Sequence, residues 1–257
     1  MSVGDYVRNT QIWKSIFRHP APRDRRNRVV VMLTNVFLHL HPVSVRKSGI
    51  DLSYTWCMGG ITFFLFLVET VTGVLLMFYY RPTLEHAYND ILSLRDVATL
   101  GILRELHRWG AHAMVISIWL HMYRVFLTGS YKPPREFNWS VGVILLVLTL
   151  LLSFTGYLLP WDQLAIWAIT VGSNMARATP FAGNEGPGAA LLKLGDIPLV
   201  NNASDARFAL LGGRFVGEAA LLRFYVLHCV GLPLVAGFLM AIHFWRIRRD
   251  GGISGPL

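Results

Sequence analysis

Four long apolar runs, Trp56–Tyr80, Ala111–Gly129, Trp139–Leu159 and Phe224–Trp245, are separated by polar, Gly/Pro-punctuated stretches. Each approaches the roughly 20 residues that a helix needs to cross a bilayer core. Between them lie a loop opened by Arg81-Pro82, a short stiff turn at Lys132-Pro133-Pro134-Arg135, and a long loop over 161–223 with a Gly/Pro-rich section, Thr179–Gly195. Helical periodicity in Tyr88–Leu106 places that part of the first loop in the interface. Residues 1–55 are polar and basic with short apolar clusters such as Val29–Leu33, the pattern of a surface segment that lies on anionic lipid headgroups. The expected architecture is all-α: an n-side surface segment over 1–55, then a four-helix membrane bundle over 56–257.

Composition agrees. Hydrophobic residues make up 53% and charged residues 15%, against about 25% charged in soluble domains. The net charge of +9 raises the possibility of nucleic acid, but its distribution answers a different question. With four spans, both termini and the middle loop share one side, which carries 15 Lys/Arg against 5 Asp/Glu; the other side carries 9 of each. Basic excess marks the cytoplasm-equivalent, or n, side, so the charge reports topology and no nucleic-acid partner is expected. No apolar stretch with a small-residue cleavage site precedes the first span, so no secretory signal is expected. Neither CxxC nor CxxCH occurs, which removes zinc, dithiol and ordinary c-type haem motifs.

The chemistry lies in histidines. His107 and His121 are 14 residues apart in one span, and His228 and His243 are 15 apart in another. These spacings correspond to about 21 and 22 Å of helix, and 14 steps return a side chain to within about 40° of its starting face. Two antiparallel helices carrying such pairs would stack two bis-histidine sites across the membrane, with His107 opposite His228 and His121 opposite His243. Titratable groups are costly in hydrocarbon and usually functional there, and axial imidazole is a common haem-iron ligand. A lone membrane histidine is more often a packed hydrogen-bonding group, the reading kept for His112. The two remaining spans repeat the spacing in glycine: Gly59 and Gly73, Gly142 and Gly156, each 14 apart. Such patches without side chains would admit the edge of a flat macrocycle, although small-residue helix packing has the same appearance.

The strings His107-Arg108-Trp109, His121-x-x-Arg124, Lys132-Pro-Pro-Arg135-Glu136, Thr155-Gly-Tyr157-x-x-Pro160-Trp161-Asp162-Gln163, Arg223-Phe-Tyr-x-x-His228 and the terminal Gly-Ile-Ser-Gly-Pro-Leu together resemble the cytochrome b6 family. The likeness covers about residues 50–257 apart from the long loop. The unequal second spacing favours this branch, since the mitochondrial type usually has two equal ones. The resemblance implies the haem-bearing subunit of a quinol:cytochrome c/plastocyanin-type oxidoreductase with two b haems, a p-side one on His107/His228 and an n-side one on His121/His243. Quinol is oxidised on the p side; one electron goes to a Rieske iron–sulfur protein and the other crosses the membrane through the b haems, with proton translocation. Implied partners are a subunit IV-like protein completing the quinol pocket, a c-type cytochrome or other acceptor, and a second copy in a homodimeric complex. Tyr157, Pro160, Trp161 and Asp162 would border that pocket, and Arg104, Arg108, Arg124 and Arg135 would stand near the haem propionates. Arg248 would serve an n-side quinone site together with His39 and His41. Tyr54-x-x-Cys57-x-Gly59-Gly60 resembles the segment whose cysteine holds an extra haem by one thioether bond, so a covalent c-type haem on Cys57 is expected, whereas Cys229 is packing.

Three departures accompany the likeness: a longer p-side loop, which suggests a different docking partner or a lid, the basic N-terminal extension, and Glu69 where the family commonly has glutamine. A mid-span carboxyl is neutral or paired, and could serve proton or quinone chemistry. A dihaem membrane anchor of a quinone-linked dehydrogenase, hydrogenase or nitrate reductase would share the histidines but not the glycine pairs or the Pro-Trp-Asp-Gln string. A non-redox transporter or haem-handling protein would lack b-type spectra. The expected location is a bacterial cytoplasmic or other energy-conserving membrane, with multiple spans and both termini on the n side.

Overall fold

The computed structural model describes residues 3–10, 13, 22–34, 46–250 and 252–253. Two short helices, α1 (Val3–Asn9) and α2 (Arg25–Thr34), precede the bundle. One turn, α3 (Leu52–Thr55), is capped by the Asp51 carboxylate, which accepts from Ser53 N at 2.9 Å. The bundle comprises α4 (Met58–Met77), α6 (Ala98–Leu127), α7 (Glu136–Leu158) and a last helix made of α10 (Glu218–Val226), a π turn over Leu227–Gly231 and α11 (Leu232–Arg249). Helix α5 (Ala87–Asp96) lies in the first loop. The long loop carries α8 (Gln163–Ala176), a two-stranded hairpin of β1 (Lys193–Leu194) and β2 (Ile197–Pro198), and α9 (Ala206–Leu211). Asp162 and Asp205 start α8 and α9 by accepting from the backbone three residues on, and Gly212 ends α9 in the left-handed region.

Among the described residues, three helices are long and apolar enough to cross a membrane: α4, α7 and the continuous Glu218–Arg249 helix. The fourth expected span, α6, is the longest helix at 30 residues but carries Arg104, Glu105, Arg108 and its histidines, which lower its apolar content. Its sequence signal therefore began only at Ala111, although the helix starts at Ala98.

Helices α4 and α6 run antiparallel in one register: Gly59 meets His121, Thr62 bonds Ser117 at 3.1 Å, and Gly73 meets His107. Helix α7 and the last helix do the same, through Gly142 with His243 in α11 and Gly156 with His228 in the π turn. The two histidine helices themselves run in the same direction, because His107 faces His228 and His121 faces His243. The expectation that they are antiparallel is therefore corrected. One membrane crossing, α7, lies between them, which restores the original direction, and only parallel helices match first histidine with first. Antiparallel packing instead joins each histidine helix to its glycine partner.

The apolar core lies at one end of the bundle, where Leu158, Ala165, Ile169, Leu211, Ala220 and Phe224 join α7 through α10. Trp161 also packs on a neighbouring cluster of Tyr80, Ala87 and Leu221, and the Tyr80 hydroxyl donates to Leu159 O at 2.6 Å. Large apolar side chains along the spans, such as Phe64, Val71 and Phe238, point outward, as a lipid-facing surface requires.

In the loop after α4, Asp90 accepts from Arg81 N, Nε and Nη2 at 2.9, 3.0 and 2.6 Å. These hydrogen bonds hold its carboxyl below the usual carboxylate range. A depressed carboxyl contributes stability that is present above its unfolded value and lost as pH falls through the folded one. Asp90→Asn is thus expected to lower the thermal midpoint by a few degrees near neutral pH. The gap from wild type should close below the ordinary carboxylate range; a gap independent of pH would contradict the assignment.

Candidate haem sites

The two histidine pairs stand at two levels of the bundle. His107 and His228 have ring centres 6.2 Å apart with planes at 85°; His121 and His243 are 6.5 Å apart at 79°. Two imidazoles on one metal, at about 2.0–2.1 Å per nitrogen as in zinc–histidine bonds, put ring centres about 6 Å apart, so an ion fits each pair. Among the described residues no three His, Cys, Asp or Glu converge on a metal position. Two imidazoles alone leave a metal under-coordinated, and a macrocycle that brings its own nitrogen ligands would complete the set.

Hydrogen bonds assign the free nitrogen in one pair. His107 Nδ1 is 2.9 Å from Thr72 Oγ1 and 3.1 Å from Glu69 Oε2. Thr72 already donates its hydroxyl proton to Val68 O at 2.7 Å, so it accepts from Nδ1–H. His228 Nδ1 lies 3.1 Å from Leu152 O, a pure acceptor, and 3.2 Å from Thr155 Oγ1, whose own proton goes to Leu151 O. In both rings the proton therefore sits on Nδ1, leaving the Nε2 lone pair for a metal. At the other level, His121 and His243 Nδ1 are buried without a hydrogen bond of good geometry, although the Asn138 backbone lies beside His243.

Each of the four glycines lies against one of the four imidazoles. A Cβ at Gly156 would come 2.6 Å from His228 Cε1, at Gly73 3.1 Å from His107, at Gly59 3.2 Å from His121, and at Gly142 3.8 Å from His243. The glycines expected against macrocycle edges thus each lie against an imidazole. The unequal histidine spacing also has a structural origin. The π turn over Leu227–Gly231, closed by Leu232 N–H to Leu227 O, holds one residue more than an α turn. It absorbs the fifteenth residue, so both pairs remain level.

The other expected residues divide. Arg124 lies over the Tyr54 ring at 4.4 Å, with Nη2 buried and unpartnered beside the His121/His243 level, which suits an anionic group. Arg104 and Arg108 instead share Glu105, at 2.8 and 2.5 Å. Arg135 bonds the carbonyls of Asp250 and Gly252 at 3.1 and 3.4 Å, tying the turn before α7 to the end of α11. Arg248 lies in the last turn of α11, and His39 and His41 fall outside the described residues. Cys57 is exposed; it and Trp56 adopt left-handed backbone (φ 52° and 49°) immediately before α4. Non-glycine residues adopt that conformation only uncommonly. Cys57 lies two residues before Gly59, hence at the level of His121.

Trp161 and Asp162 line a cavity of about 390 Å³ with Tyr88, Gln163, Leu164 and Ile166, whereas Tyr157, exposed, and Pro160 do not. Asp162 spends one oxygen capping α8, accepting from Ala165 N at 2.8 Å. A larger hollow of about 550 Å³ lies on the outer face of α6, around Ile102 and Trp109, and does not reach the histidine pairs. Sequence reading missed Thr72, Thr155 and Tyr88. The two threonines had a signal, since each immediately precedes a glycine of the matched set; Tyr88 had none.

The family described as Cytochrome b/b6/petB matches residues 43–186. Cytochrome b6 of Synechococcus sp. (strain JA-3-3Ab) is 42% identical over 203 residues, covering 79% of this chain and 85% of that protein. Cytochrome b6 of Synechococcus elongatus is 40% identical over the same coverage. Among solved structures, a chain of a hyperthermophilic respiratory Complex III superposes with a TM-score of 0.68 at 23% identity, covering 97% of this chain and 55% of that one, a likeness of fold. By sequence, and in keeping with two levels of facing imidazoles, the chain belongs to the cytochrome b/b6 family.

Proposed function

We propose that this chain is the haem-bearing subunit of a quinol:cytochrome c/plastocyanin-type oxidoreductase, spanning an energy-conserving membrane with both termini on the n side. The observation that carries the reading is the pair of facing imidazoles at each of two levels, 6.2 and 6.5 Å between ring centres. His107 and His228 would hold the p-side haem b, and His121 and His243 the n-side one. Bound there, haem supplies one-electron transfer between the two faces of the membrane. The protein's part is to orient the rings: Thr72 and Thr155 accept from Nδ1–H and aim Nε2, glycines seat each ring, and the π turn keeps the levels matched. Arg124 would meet a propionate of the n-side group.

The cavity at Trp161 is the proposed border of the quinol site. Its apolar wall suits a quinol ring, and a subunit IV-like protein would close it. A Rieske iron–sulfur protein and a c-type cytochrome or other acceptor would complete the complex, which we take to be homodimeric. Residues 1–55 would form an n-side surface segment, with basic side chains of α2 facing anionic lipid. Reduced-minus-oxidised spectra of the purified complex should resolve two b-type components of different midpoint potential, and their absence would end this reading.

Cys57 is proposed to hold a third haem through one thioether bond, supported by its exposure and by its place near the n-side pair. Gly60 leaves room beside the sulfur, since a Cβ there would lie 3.0 Å from Sγ. A denaturing gel stained for haem should show a covalent signal in this chain that disappears in Cys57→Ala. A signal that persists in the variant would place the attachment elsewhere.

A further inference from the structure

We propose that Glu69 is a positioning residue for the His107/His228 site: its carboxyl holds the His107 ring and lowers the reduction potential of the iron which that ring ligates. The proposal rests on the haem reading above. Glu69 Oε2 lies 3.1 Å from His107 Nδ1, and the two side chains are 15% and 23% exposed. The carboxyl fits because α6 presents Gly110, a buried glycine, at this point; a Cβ there would collide with Glu69 Oε1. Gly110 is thus a notch for Glu69, a use unrelated to the four glycines that seat imidazoles.

The arrangement singles out one ring of four. His228 Nδ1 meets only the neutral acceptors Leu152 O and Thr155 Oγ1. His121 and His243 have no Nδ1 hydrogen bond of good geometry. A carboxylate oxygen 3.1 Å from Nδ1, beside the Thr72 hydroxyl that accepts its proton, polarises the ring electrostatically and raises electron density at Nε2. A more electron-rich ligand favours oxidised iron, and hydrogen bonding around a ligand is one of the levers a protein has on haem potential.

The test is a redox titration of the purified complex carrying Glu69→Leu or Glu69→Gln, with the two b-type components resolved. Leucine removes the carboxyl beside Nδ1 and should raise the midpoint of the p-side component alone. Glutamine keeps an acceptor oxygen and should return it most of the way. Both haems retained with an unmoved p-side midpoint in Glu69→Leu, or an equal shift in both components, overturns the proposal. If the leucine variant does not assemble, infrared difference spectra of wild type and Glu69→Gln decide. A carboxyl band that responds to reduction of the p-side component, and is lost in glutamine, supports the proposal; no such band overturns it. A wild-type complex without two b-type components is a separate result, sinking the haem reading and this proposal together.

Discussion

His228→Ala is expected to abolish quinol oxidation and remove one of the two b-type spectral components while the other remains. Alanine leaves His107 with no partner ring across 6.2 Å and deletes the ligand that Leu152 and Thr155 hold in place. His121 and His243 lie about 21 Å along the helices and share no hydrogen bond with the altered site. Their component should therefore keep its midpoint. His243→Ala should give the reciprocal spectrum, with the His107/His228 component retained. Spectra and haem content of purified, assembled complexes check both. Simultaneous loss of both components from each variant, in complexes that still assemble, would contradict two independent sites.

Gly156→Ala should do nearly as much damage through a single methyl group. Its Cβ would lie 2.6 Å from His228 Cε1 and 3.1 Å from both ring nitrogens. The ring cannot swing away without breaking the hydrogen bonds that orient it. Replacing a helical glycine by alanine favours the helix by about 1 kcal/mol, but overpacking a filled site costs roughly 1–3 kcal/mol, so the clash prevails. The expected result is loss of most haem from the His107/His228 pair with the fold retained. Distance then ranks the others: Gly73→Ala and Gly59→Ala, at 3.1 and 3.2 Å, should be intermediate, and Gly142→Ala, at 3.8 Å, the mildest. Haem content of the four alanine variants measures the series. A flat series, or one in which Gly142→Ala is worst, would mean that the glycines serve something other than the rings.

Much of this site was legible because periodicity survives without coordinates. Fourteen residues bring a helix back to the same face whatever surrounds it, so His107 and His121, and each glycine pair, announced one stripe and two levels. Apolar run length likewise located three of the spans. It truncated α6 because Arg104, Glu105 and Arg108 interrupt the apolar pattern, while backbone hydrogen bonding is indifferent to them. Other features needed neighbours distant in sequence. Cavity walls such as Tyr88 come from separate elements, and Arg104 and Arg108, placed near propionates by the resemblance, find Glu105 first.

Taken alone, the sequence determined the membrane helices, the histidine and glycine stripes and the family, because these depend on local geometry and residue type. Only the tertiary structure decided that each glycine lies against an imidazole. It also showed that the fifteenth residue disappears into a π turn and that Glu69 reaches His107 through the notch at Gly110. Those facts concern contacts between helices, and a contact depends on the relative direction and rotation of two elements, which no pattern within either one records.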